Sequence, residues 1–188
     1  MTAHDDLPGR IGMAHRPPRV LLTGAPGCGK TTIILKTLEL LECPMAGFYT
    51  EEVRDRDGGS RLGFDVIDLA GRRGPLARVG HKGPRVARYG VDISSFEKIG
   101  VRALVEGLGN PETLLVVDEL GKMEFLSSRF VDLLTRVFQA HNPVLGTILS
   151  QPHPIADKYR SAYGVELIQV RPENREELPT EVARSLAV

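Results

Sequence analysis

Tryptophan is absent from this chain of 188 residues, cysteine occurs twice, and aromatic residues make up 5% of it. So few aromatics leave no interleaving of rings and basic residues of the kind that stacks bases, so composition gives no case for single-stranded nucleic acid. Cys28 and Cys43 are too few and too poorly spaced for a structural zinc site, and a disulfide at Cys28 would sit inside a glycine-rich turn. Free thiols in a reducing compartment, the cytoplasm, are the expectation. Neither charge sign is in excess, with 24 Lys and Arg against 24 Asp and Glu. Bulk electrostatics therefore supplies no pull towards polyanions or acidic membranes. No apolar run approaches the ~20 residues that cross a bilayer. Residues 1–18 have no hydrophobic centre, which excludes a secretory signal and makes them an expected flexible leader. The whole chain is 41% hydrophobic and 26% charged, a globular composition. One domain over 19–188 and a monomer are expected.

Against that plain background stands Gly24-Ala25-Pro26-Gly27-Cys28-Gly29-Lys30-Thr31, which meets every fixed position of the phosphate-loop pattern G-x-x-x-x-G-K-[ST]. The apolar run Val20–Thr23 before it reads as a buried strand, and Lys30 to about Glu42 after it reads as a helix. Strand, glycine loop and helix start together cup a phosphate with backbone N–H groups. Lys30 would reach the β- and γ-phosphates, and the Thr31 hydroxyl would ligate Mg²⁺. The segment implies binding of a nucleoside triphosphate such as ATP or GTP.

Strand-like and helix-like segments alternate along the chain without internal repeat, which predicts a mostly parallel sheet with helices on both faces. Residues 48–69, broken at Asp57-Gly58-Gly59, read as an antiparallel hairpin appended to that core. Residues 71–91, rich in glycine and proline, show no clear element. A helix is expected from a capping box at Ser94-Ser95-Phe96-Glu97 to Leu108. Phe130, Leu133, Leu134, Val137 and Phe138 mark the clearest amphipathic helix.

A phosphate loop needs a carboxylate at the end of an apolar strand to hold its metal. Leu114-Leu115-Val116-Val117-Asp118-Glu119 supplies one. Asp118 is the candidate Mg²⁺ ligand. Glu119, expected on the other side of the strand, is the candidate base for an attacking water. That second acid favours hydrolysis over transfer to an acceptor, although a nucleotide or small-molecule kinase, or a nucleotide-gated RNA- or protein-binding module, remains the alternative. Asp118-Glu119-Leu120-Gly121 also fits D-x-x-G, but no N-K-x-D guanine-reading segment occurs.

These stretches, with Gly47–Arg54, Gly63–Val66, Tyr89–Asp92, Asp118–Glu124 and Glu173-Asn174-Arg175, resemble the thermophilic phosphohydrolase-type nucleoside-triphosphatases, also described as cancer-related, over nearly all of the chain after residue 19. The resemblance implies a RecA-like P-loop α/β fold and Mg²⁺-dependent hydrolysis of ATP and other nucleoside triphosphates with loose base preference. It also implies nucleotide contact along Gly24–Thr31 and along Leu114, Leu115, Val116, Val117, Asp118, Glu119, Leu120 and Gly121. Leu120 stands where the family commonly has isoleucine.

Weaker signals surround the two motifs. Arg72, Arg73, Arg78, Lys82, Arg85, Arg88 and His81 place positive charge on the 71–91 segment, without an acid. Closure over a triphosphate is favoured there over tracking a nucleic-acid backbone, and a solvated loop is the plain alternative. Lys122, Arg54, Arg88 and Arg175 are candidate transition-state cations, and Ser150 and Gln151 candidate γ-phosphate sensors. His153 reads as a loop histidine.

Overall fold

The computed structural model describes residues 16–55 and 58–187. Most of the expected leader, residues 1–15, lies outside that range, as does Asp57 of the expected turn.

Strand β1 (Arg19–Thr23) is buried at every position and delivers the glycine loop to helix α1 (Lys30–Leu38), which stops short of the expected Glu42. Strand β2 (Met45–Arg54) does two jobs. Its first residues pair in parallel with β7 (Leu114–Leu120), and from Phe48 onward it pairs antiparallel with β3 (Arg61–Asp68). With β8 (Val144–Ile148) and β9 (Val165–Gln169), the parallel part runs β2-β7-β8-β1-β9.

Neighbouring residues along each buried strand face opposite sides. Leu21, Leu115, Val117, Val144 and Ile148 enter one core, whereas Val20, Leu22, Leu114, Val116 and Leu145 enter the other. The first core is closed by α4 (Ser128–Gln139), α5 (Pro154–Arg160) and the helical segment 93–107; the second by α1 and α6 (Leu178–Leu186). Helices therefore cover both faces, as predicted. Phe48, Phe96 and Phe130 pack edge to face at the centre of the first core, with centroids 5.2–5.9 Å apart. Pairs of this geometry stabilise beyond their buried area by about 0.5–1.5 kcal/mol.

The appended part is larger than a hairpin. Residues 71–91 form β4 (Arg73–Val79), β5 (Arg85–Val86) and β6 (Tyr89–Val91), which extend the sheet antiparallel in the order β3-β4-β6-β5. The β3–β4 ladder shifts register between Phe64 and Asp65, opposite Pro75, so the proline sits at an irregularity where a missing N–H is tolerated. The six basic residues are accordingly not one flexible loop. Arg72 is held by Asp68 and Glu106, Arg73 by Asp65 and Glu51, and Arg78 by Asp65. Arg88 donates to the Arg61 carbonyl at 2.9 Å. Lys82, Arg85 and His81 stay exposed.

The next helix starts at Asp92 rather than at Ser94. The Asp92 carboxylate accepts from the Ser95 N–H at 2.9 Å, which stabilises the first turn. Helix α2 (Ile93–Phe96) passes through a π-helical turn at Glu97–Val101 into α3 (Arg102–Gly107).

Candidate active site

At the carboxyl ends of the parallel strands the loop after β1 and the end of β7 share a cavity of about 570 Å³. This is where open parallel sheets place ligands. Gly29 caps α1 with φ of 100°, a left-handed conformation that a side chain would strain. That turn leaves the first N–H groups of a nine-residue helix facing the cavity. The Lys30 ammonium spans the loop, donating to the carbonyls of Gly24 at 3.2 Å and Ala25 at 3.4 Å.

Asp118 is buried and accepts from the Thr31 hydroxyl at 2.6 Å, from the Thr147 hydroxyl and from the Thr50 N–H. Its bonds come from α1, β8 and β2, so one carboxylate ties the two motifs to the sheet. Burial pushes its pKa up, and the Thr147 and Thr31 hydroxyls and Lys30 oppose that shift. Glu119 does not point away. The β7–β8 register breaks between Val117 and Leu120, and Glu119 lines the same cavity as Asp118. Burial raises its pKa, Lys30 draws it back, and Asp118 adds to the rise.

Gly24, Pro26, Gly27, Gly29, Lys30, Thr31, Asp118, Glu119 and Gly121 all line this cavity. Ala25 and Cys28 complete the loop, Ala25 accepting the Cys28 N–H at 3.2 Å. Leu114, Leu115, Val116, Val117 and Leu120 do not reach the cavity. They are at most 1% exposed because their alternating side chains fill the two cores, and they serve by carrying the acids.

Of the proposed cations, Lys122 lines the cavity and donates to Gln151 Oε1 at 3.2 Å, with Ser150 beside it. Arg54 pairs with Glu52, Arg175 with Glu176, and neither lines the cavity. His153 caps α5 and stacks on Phe125 with centroids 5.0 Å apart. Glu124 had no assigned role. It is 5% exposed and lines the cavity, and its carboxyl is pushed up to about 8 by burial and by the charges of Glu119 and Asp118. An acid set between Met123 and the apolar Phe125-Leu126 was the signal for it.

A family model described as NTPase matches residues 19–183. The chain is 41% identical over 165 residues to nucleoside-triphosphatase THEP1 of Thermotoga petrophila, covering 87% of this chain and 90% of that one. It is likewise 41% identical over 175 residues to the human cancer-related nucleoside-triphosphatase, covering 85% and 91%. The crystal structure of THEP1 from Aquifex aeolicus superposes with a TM-score of 0.81 at 30% identity, over 90% of this chain and 99% of that chain. The mixed sheet thus has its counterpart in a known structure, and the chain belongs to the NTPase family, among the nucleoside-triphosphatases.

Proposed function

We propose that the protein hydrolyses ATP and other nucleoside triphosphates to the diphosphate and phosphate, in a Mg²⁺-dependent reaction with broad base specificity. The observation that carries this reading is the convergence of Lys30, Thr31, Asp118 and Glu119 on one cavity. The loop N–H groups and Lys30 bind the β- and γ-phosphates, and Lys30 offsets the charge that gathers on the γ-phosphoryl oxygens. Thr31 and Asp118 would hold Mg²⁺. Their oxygens lie 2.6 Å apart, and among the described residues no cluster of three or more potential ligands forms an all-protein cage. Two protein oxygens, completed by phosphate oxygens and water, suit an ion that keeps much of its hydration shell. When bound, Mg²⁺ would neutralise charge on the β- and γ-phosphates. Glu119 orients a water for in-line attack on the γ-phosphorus and accepts its proton. Lys122, held across the cavity by Gln151, is the cation best placed to join Lys30.

Broad base specificity is supported by the lack of an N-K-x-D segment and by the placement of the motif residues around the phosphates. Pairing of Arg72, Arg73 and Arg78 with acids removes half of the apparent basic patch and favours a nucleotide over a nucleic acid as partner. The two free cysteines suit a reducing compartment such as the cytoplasm, and no described helix is long and apolar enough to cross a membrane. The test is phosphate release from ATP, GTP, CTP and UTP, with and without a chelator. All four should turn over within about an order of magnitude of one another, and chelation should stop release. Release that persists in Lys30→Ala, or in the chelator, defeats the proposal.

A further inference from the structure

The cavity has a wall that hydrolysis does not need. Three strand spacings separate β1 from β2, which puts β2 about 14 Å across the sheet from the strand that feeds the phosphate loop. On the reading above, Mg²⁺ sits at Thr31 and Asp118, so the γ-phosphate faces β7 and β2 while the nucleoside end points towards β9. The far wall, built on the antiparallel extension, is therefore free of the nucleotide. Phe64, Leu76 and Val86 of the extension form it, closed by Met123 from the segment after β7 and edged by the ion pair of Glu52 with Arg61. The Arg61 guanidinium also lies over the Phe64 ring, 5.5 Å from its centroid.

Water as sole co-substrate gives no reason for such a surface. An apolar wall edged by a few converging polar groups, beside reactive machinery, is how proteins seat a small organic molecule. The Phe64 ring and the planar Arg61 guanidinium suit a ring, the aliphatic side chains beside them add apolar contact, and the Glu52–Arg61 pair offers an acceptor and donors to polar atoms on its edge. We propose that this wall is the subsite for a phosphoryl acceptor, a small alcohol carrying a planar ring. The acceptor hydroxyl takes the place of the attacking water. Its oxygen bonds to the γ-phosphorus, the bond from phosphorus to the β–γ bridging oxygen breaks, the diphosphate leaves, and the hydroxyl proton passes to the Glu119 carboxylate. Hydrolysis is the outcome when water occupies the place. The inference rests on the nucleotide orientation given above and extends it from a release reaction to a transfer.

Purine and pyrimidine nucleosides serve as probes, since each joins a planar ring to a primary hydroxyl. The protein is incubated with Mg²⁺, ATP labelled at the γ-phosphate and each nucleoside, and label is counted in nucleoside monophosphate and in free phosphate. Binding is followed separately by saturation-transfer NMR on the ADP-loaded protein. Label in a monophosphate supports the subsite. So does a ratio of transfer to release that falls about tenfold in Arg61→Ala, an exposed position, or in Val86→Asp, as loss of one such contact would produce. Absence of both transfer and saturation across the panel, with phosphate release intact, overturns it. A transfer ratio unmoved in Arg61→Ala and in folded Val86→Asp also overturns it. If Lys30→Ala releases phosphate like the wild type, the fault lies instead in the hydrolysis reading.

Discussion

The parallel and antiparallel halves of this sheet are built by different means. In the parallel half the central strands β1, β7 and β8 are short, largely apolar runs buried on both faces, and cohesion comes from two hydrophobic cores. From β3 to β5 the strands alternate, carry glycine and proline, and are laced by the ion pairs of Asp65, Asp68 and Glu51 with arginines. A parallel sheet has to be covered on both faces, whereas an antiparallel one tolerates solvent on one of them. The phosphate machinery sits on the parallel half, and the antiparallel part reaches it through Thr50 of β2, whose N–H bonds to Asp118, and through the far wall of the cavity. If this division is correct, damage to the parallel half removes chemistry or folding, and damage to the extension mainly tunes what enters the site.

The largest effect should come from Glu119→Gln, which keeps size and hydrogen bonding but cannot take a proton. Phosphate release should fall about 10²–10⁴-fold while the thermal midpoint stays near the wild-type value. Turnover above a tenth of wild type would remove Glu119 from the base role and leave water positioning to Lys122 and Gln151. Next comes the core. Phe130→Ala removes the ring shared by Phe48, Phe96 and Phe125 and should cost about 3–5 kcal/mol in chemical denaturation. A loss under about 1 kcal/mol would mean that the aromatic cluster does not join the two halves.

The same contrast explains what could be read from residues alone. The loop Gly24–Thr31 and the acids at the end of β7 were legible because phosphate binding constrains local chain geometry, so residue types and spacing carry the site. The two-faced helix cover was legible from periodicity. The extension was not. Gly83, Pro84 and Gly90 read as loop, yet Gly90 lies inside β6 because a Cβ there would come within 2.0 Å of the His81 carbonyl. Such a glycine records a close backbone approach that only tertiary structure reveals. Glu119 was assigned to the wrong side for a similar reason, since strict alternation fails where the β7–β8 register breaks. Glu124 escaped notice because burial, not motif position, makes it unusual.

Glu124 gives the third prediction, again on the parallel half. Its native pKa of about 8 lies above the ~4.3 of an unfolded chain. Between those values the folded state holds more protons than the unfolded one, so stability falls as pH rises through the window. Glu124→Gln cannot ionise and escapes that loss. In thermal unfolding without Mg²⁺ or nucleotide, the variant should match the wild type near pH 4 and exceed it near pH 9. Parallel pH profiles would show that Glu124 is not held protonated.

The smallest effect is expected from the extension, where Arg73→Ala deletes a half-exposed side chain shared between Glu51 and Asp65. Asp65 keeps its pairing with Arg78, so no buried charge is left alone. The Arg73–Glu51 pair is exposed, and such pairs contribute about 0.2–1 kcal/mol and are screened by salt, while Asp65 is buried but stays paired. The stability loss should therefore stay near 1 kcal/mol at low ionic strength and shrink at 1 M salt. Phosphate release should hold within about twofold, because Arg73 does not line the cavity and the Thr50 N–H stays on Asp118. The outcome that breaks the comparison is a tenfold loss of release with stability preserved. Such a result would mean that the extension sets the geometry of Asp118 through β2, and that the two halves work as one catalytic unit.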